Sequence, residues 1–347
     1  MELSMPISYA GGFEESARQV AQLEKAGLDS AWVAEAYGYD GVSFMGYLAA
    51  RTERVKIASG ILPIYTRTPT LLAMTAAGID ALSNGRCILG LGASGPQVIE
   101  GFHGVVYDKP LARTREIVSI CRKVWAREAP LTNEGPMYTI PVQEGVGTGL
   151  GKPLKIIGHP VRSRIPIYIA SLGEKNVALT AEIAEGWLPV FFIPEKAKDV
   201  FGKALAEGTA KRSPDLGPLE INAGGVVCIT DDEDEAQAAR NLGRGMAALY
   251  IGGMGAKGQN FYNALVTRYG YEQEAAEIQD LYLAGQKQEA MAKVPDDLLE
   301  KTSLCGPEGY VKERIAAYKE AGVTSLAITP LAADPAEVVE KLKAWTA

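Results

Sequence analysis

Histidine is nearly missing from this 347-residue chain, with only His103 and His159 present. A zinc site built mainly from imidazoles is therefore not expected. Cysteine is almost as scarce. Cys87, Cys121, Cys228 and Cys305 lie far apart and form no CxxC pair. They read as reduced, buried thiols, which points to the cytoplasm. The candidate ligands do not cluster in sequence, so no catalytic metal is predicted. No stretch approaches the ~18 unbroken apolar residues of a membrane span. The segment MELSMPISYAGGFEES lacks the basic and apolar regions of a secretory leader. Long basic runs are absent too. The 35 basic against 42 acidic residues give a net charge of −7, which argues against nucleic acid as a partner. Disorder is excluded by the 47% hydrophobic content.

What is present is a repeated alternation of a short apolar run and an amphipathic stretch. Strand-like runs are predicted at 3–9, 30–34, 55–63, 87–92, 165–170, 186–192, 220–230 and 325–330. Helical patterns follow them: Ala17, Val20, Ala21 and Leu23 before a stop at Gly27, then 42–52, 69–82, 113–127, 174–184, 196–211, 233 onward and 336–345. Alternating β and α elements with apolar strands predict a parallel sheet covered on both faces. Eight such units predict an α/β fold, a closed (β/α)8 TIM barrel formed by residues 1–347 as one domain. Two segments break the repeat. Residues 130–164, with EGVGTGLGKP, read as a long loop able to carry a hairpin. Residues 240–304 are helical in pattern and read as an insertion before the last strand.

Gly90-Leu91-Gly92-Ala93-Ser94-Gly95 satisfies GxGxxG directly after a strand. Its context departs from a dinucleotide site. Pro96 follows, and no strand ending in Asp or Glu arrives ~20 residues later. In a barrel the same glycines fall where the fourth strand ends, and there they let backbone approach a ligand. A turn needing positive φ is the plainer alternative.

Several strand ends resemble the bacterial luciferase-like flavin and deazaflavin oxidoreductases. The matching pieces are AWVAEAYGYD, RVKIASGILPIYTRTP, ALSNGRCILGLGASGP, IPIYIASLGEKNVALTAEIAEGWLP and CGPEGYVKERIAAYKEAGVTSLAITP. The resemblance covers most of the chain, least around 240–300, and is strongest to the actinobacterial branch that uses coenzyme F420. It implies a flat ring at the C-terminal ends of the strands, backed by a non-prolyl cis peptide that would fall at Gly60–Ile61, beside Ser59. An ordinary bulge at Gly60 is the alternative. It also places Glu35 at an acidic position, although the family's following His is Ala36 here. Gly92, Ser94, Gly95 and Gln97 fall where the ring's side chain runs. Ala170, Ser171, Leu172 and Gly173 precede a helix whose amides would cradle a phosphate, with Lys175 adding charge or, as the alternative, standing as a solvated surface lysine. Arg67 would hold the phosphate or polyglutamate tail, with a helix-cap salt bridge as the alternative. Glu35 and His103 are the catalytic candidates, with a loop histidine that only hydrogen-bonds backbone as the alternative for His103, and Tyr9 is the substrate contact.

The resemblance implies an oxidoreductase moving hydride between F420 and a small organic substrate. An FMN-dependent monooxygenase and a non-catalytic flavin-binding barrel are the alternatives. A homodimer is expected, as in the family generally, and the sequence LLAMTAAGIDAL has the weak polar stripe of a helix with a second buried face.

Overall fold

The computed structural model describes residues 1–8 and 11–347, so the prediction for Tyr9 falls outside the described residues. Eight parallel strands close a barrel: β1 (Glu2–Ile7), β2 (Ser30–Val33), β3 (Lys56–Ser59), β4 (Cys87–Gly92), β5 (Ile167–Ala170), β6 (Gly186–Leu188), β7 (Glu220–Ile229) and β8 (Ser325–Pro330). The ring is complete. β8 pairs with β1 through Leu326 and Leu3, and β7 pairs with both β6 and β8. This is the expected TIM barrel.

The predicted third run is broken in two. After Ser59 the chain leaves the ladder at Gly60–Ile61, whose peptide bond is cis, and resumes as Leu62–Pro63 against Leu91–Gly92. The ring helices are α1 (Phe13–Ala26), α2 (Gly41–Arg51), α3 (Pro69–Leu82), α4 (Pro110–Ala126), α5 (Glu174–Ile183), α6 (Pro194–Thr209), α7 (Glu308–Glu320) and α8 (Pro335–Thr346). Local chemistry sets their starts. The Asp40 carboxylate accepts from the Ser43 amide at the head of α2, and the Thr68 hydroxyl accepts from Leu71 at the head of α3. Gly27 stops α1 with φ at 111°.

One assignment is corrected. The helix after β7, Glu233–Asn241, does not occupy the seventh ring position. It packs on the far end of β7 and on a short extra strand, Leu304–Gly306, that pairs in parallel with Val227–Ile229. The ring position belongs to α7, which packs against α6, α8 and β7. The helices between 233 and 301 thus lie between β7 and α7, with a π-helical turn at Leu249–Gly253. The loop between α4 and β5 carries a small hairpin, Asn133–Glu134 against Thr139–Ile140. Arg162, near the end of that loop, pairs with the fully buried Asp80.

Apolar residues fill two compartments. Outward-facing strand residues such as Leu3, Ile57 and Leu89 pack against the helices. Inside the barrel, Trp32, Ala58, Ile88 and Tyr168 form a separate plug. The Trp32 and Tyr168 rings, from strands on opposite walls, lie 5.1 Å apart. Below the plug the interior is polar: Trp32 Nε1 donates to Ser30 Oγ at 3.0 Å, and the Tyr168 hydroxyl bonds Glu220.

Buried Glu24, on α1, ties that helix to the segment entering β3. Its carboxylate accepts from the amides of Glu53, Arg54 and Val55 at 3.1, 2.5 and 2.6 Å. Burial alone would raise its pKa, but those amides and the Arg54 charge outweigh it and hold it below the ordinary 4.5. Its stabilising contribution is therefore complete above about pH 4.5 and drains away as pH falls through the folded-state value. Glu24→Gln keeps one acceptor oxygen. It should cost about 1–2 kcal/mol at neutral pH in urea titrations, with the gap from wild type narrowing in acid.

Candidate active site

At the C-terminal end of the barrel the usual burial is inverted. Pro6, Ser8 and Thr329, which face the barrel axis, are exposed, while their neighbours Ile7, Ile328 and Pro330, facing the helices, are buried. The axis-facing positions here are small: Pro6, Gly60, Gly92, Ala170 and Ala327. They leave a cup above the Trp32–Tyr168 plug, at the end of the fold where barrel active sites form.

Three predicted cofactor contacts meet on one wall. A Cβ placed on Gly92 would stand 3.0 Å from Ile61 Cγ1 and 3.5 Å from the Ala170 methyl. Gly60 lies over Trp32, whose Cβ would be 3.3 Å from an added Cβ. Ser59 is fully buried, and its hydroxyl donates to the Gly90 carbonyl and accepts from the Gly90 amide, both at 2.8 Å. It braces β3 against β4 and does not line the cup. Ser94 has φ at 58°, and Gly95 opens the short helix Pro96–Gly101 with Met254 O of the inserted segment 3.6 Å from its Cβ position. Gln97 is exposed on that helix.

Gly173 is the N-cap of α5 and no side chain caps the helix. The Asn176 amide bonds the Gly173 carbonyl at 2.9 Å, and the amides of Glu174 and Lys175 are left for another acceptor. Lys175 is exposed beside them. Ser171 is turned the other way, its hydroxyl 2.8 Å from Thr180 Oγ1 and its carbonyl accepting from Trp187 Nε1. A residue missed in sequence, Arg268, ends the inserted helix Phe261–Arg268. It reaches this corner, donating to the Leu172 carbonyl at 2.8 Å and lying 3.9 Å from Glu174.

Glu35 and Arg67 do come together, as a two-pronged ion pair at 2.5 and 2.8 Å. Glu35 also accepts from the Gly41 amide, and Arg67 also donates to Asp40 at 2.7 Å. The side chains of Glu35 and Arg67 are only 8% and 13% exposed. The bonds from Glu35 raise the Arg67 pKa against the opposing effect of burial. This cluster locks the loop after β2 to the one before α3, the salt bridge that was the alternative for Arg67. His103 stands apart from it. Its ring is edge-on to Phe102 at 5.1 Å, and its Nε2 is buried without a partner among the described residues.

Aromatic residues from separate segments complete the rim. Tyr65 stacks on Tyr107 at 4.9 Å, and Tyr250 meets Tyr262 at 4.6 Å. Phe191 stands 5.9 Å from Tyr250 and holds φ at 51°, uncommon for a non-glycine residue and concentrated at functional sites. Burial raises the Tyr262 phenol pKa, with Tyr250 and Tyr107 adding to it.

The open cup, the small residues above an aromatic floor and the bare amides of α5 fit a flat ring carrying a phosphate. Among the described residues no three His, Cys, Asp or Glu side chains gather as a metal site, and no helix is long and apolar enough to cross a membrane. Comparison with known proteins agrees with the fit. A Mycobacterium tuberculosis protein assigned as a coenzyme F420-dependent oxidoreductase is 42% identical, covering 99% of this chain and 98% of its own. The 5,10-methylenetetrahydromethanopterin reductase of Archaeoglobus fulgidus is 27% identical over 92% of this chain and 93% of that one. The coenzyme F420-dependent tetrahydromethanopterin reductase of Methanopyrus kandleri shares the fold, with a TM-score of 0.76 at 22% identity over 98% and 96% of the two chains. The luciferase-like monooxygenase family profile matches residues 2–325, and the chain belongs to that family.

Proposed function

We infer that the protein is an F420-dependent oxidoreductase acting on a small organic molecule. The observation that carries the reading is the meeting of Ile61, Gly92 and Ala170 above Trp32, next to the uncapped α5. The identity to the mycobacterial relative supports it. F420, when bound, supplies the hydride chemistry through its deazaflavin ring.

The chain's residues do the rest. Gly60 and Ile61 back the ring, and Gly92 leaves the clearance it needs. Ser94, Gly95 and Gln97 flank its side chain. The amides after Gly173, with Lys175 and Arg268, hold the phosphate. Glu35 and Arg67 fix the loops around the cup, and His103 Nε2 holds or gives the proton. The same reading carries a single-domain cytoplasmic protein. It also carries a homodimer, a reading supported by Leu71, Met74 and Leu82 on α3, which are 45, 54 and 69% exposed.

The test is titration with F420 and FMN side by side, read by fluorescence quenching. Saturable F420 binding at least tenfold tighter than FMN is expected. The reverse preference would favour the FMN-dependent monooxygenase. Light scattering should give twice the 37.0 kDa chain mass. A monomer at micromolar concentration would remove the dimer.

A further inference from the structure

Two exposed aromatic rings stand at the cup's mouth. Tyr37 lies on the loop after β2 and Phe102 on the loop after β4, 56% and 65% exposed, with ring centroids 6.2 Å apart. β3 runs between those two strands, so the pair spans the end of β3, where Gly60–Ile61 lies. Large aromatic side chains left this exposed on active-site loops mark a surface waiting for an apolar ligand. The charges nearby are already matched. Arg67 is held by Glu35 and Asp40, and Arg113 by Asp108. Among the described residues, buried polar atoms without a partner here are Arg113 Nε and, beside Phe102, His103 Nε2.

Resting on the F420 reading, we propose that the substrate is an uncharged, planar or alicyclic molecule bearing one carbonyl or hydroxyl group. Its apolar body packs against Tyr37 and Phe102, and its oxygen bonds His103. Because Arg67 and Arg113 are already paired, an anionic substrate such as a phosphate ester or carboxylate gains neither as a counter-ion and pays the cost of desolvation.

The test uses the F420-loaded protein and a matched pair of probes, benzylideneacetone and its para-carboxylate, with binding followed by calorimetry. The neutral probe should bind at least about tenfold more tightly than the carboxylate. Tyr37→Ala and Phe102→Ala should each weaken it about fivefold while changing F420 affinity less than twofold. His103→Phe should weaken the neutral ketone more than the corresponding hydrocarbon, which lacks the oxygen. Equal or tighter binding of the carboxylate overturns the proposal, as does retained affinity in both alanine variants. So does failure of the neutral probe to bind the loaded protein. Failure of F420 itself to bind is a separate result and counts against the cofactor reading.

Discussion

Gly90→Ala should leave little folded protein, with a stability loss of more than about 3 kcal/mol. The added methyl would stand 1.8 Å from the Ser59 carbonyl oxygen, and that oxygen belongs to a strand and cannot move aside. Gly92→Ala is the contrasting case. Its new methyl meets the Ile61 side chain at 3.0 and 3.2 Å, and a side chain can give by a few tenths of an ångström. That variant should fold, melt within a few degrees of wild type and bind F420 at least tenfold more weakly, because the methyl enters the ring's space. Thermal melts and F420 quenching on both proteins separate the roles. A stable Gly90→Ala protein would show that the two strands are not pressed together as described.

Arg67→Met should be the most damaging side-chain change at the site. It strands the Glu35 carboxylate, 8% exposed, with its cationic partner gone. Breaking a buried pair from one side costs about 3–5 kcal/mol. The double change Arg67→Met with Glu35→Gln removes the stranded charge and should recover most of that loss. F420 affinity then separates two roles. If the double variant is stable and still binds F420, Arg67 serves the fold. If it is stable and does not bind, Arg67 touches the cofactor as the family resemblance implied.

The parts of the fold legible in the sequence were those fixed by local pattern. Cys87–Gly92, Pro69–Leu82 and Ser325–Pro330 have the predicted bounds, because turn residues or prolines punctuate strong apolar runs there. The seventh ring helix was not legible that way. Glu233–Asn241 follows β7 directly, yet the strand Leu304–Gly306 is too short to show a pattern, and it is this strand that draws the helix away from the ring. At the site, Ile61, Gly92 and Ala170, each named separately as a cofactor contact, lie together. Ser171 does not face the cup with Ala170, because neighbouring residues at a strand end point to opposite sides. Arg268 carried no local signal, being 96 residues from the carbonyl it binds. The Tyr37–Phe102 pair was equally hidden, since two loops on different strands bring it together.

The Trp32–Tyr168 plug has a kinetic consequence. It seals the lower half of the barrel, so the cup is a vessel with a single doorway. Two ligands that use one doorway must queue, and the one that lies against the floor has to enter first and leave last. Steady-state kinetics should therefore show compulsory order, with coenzyme before substrate and product before spent coenzyme. A saturating dead-end analogue of the substrate should slow coenzyme dissociation in stopped-flow chase experiments, much as a stopper slows the emptying of a flask.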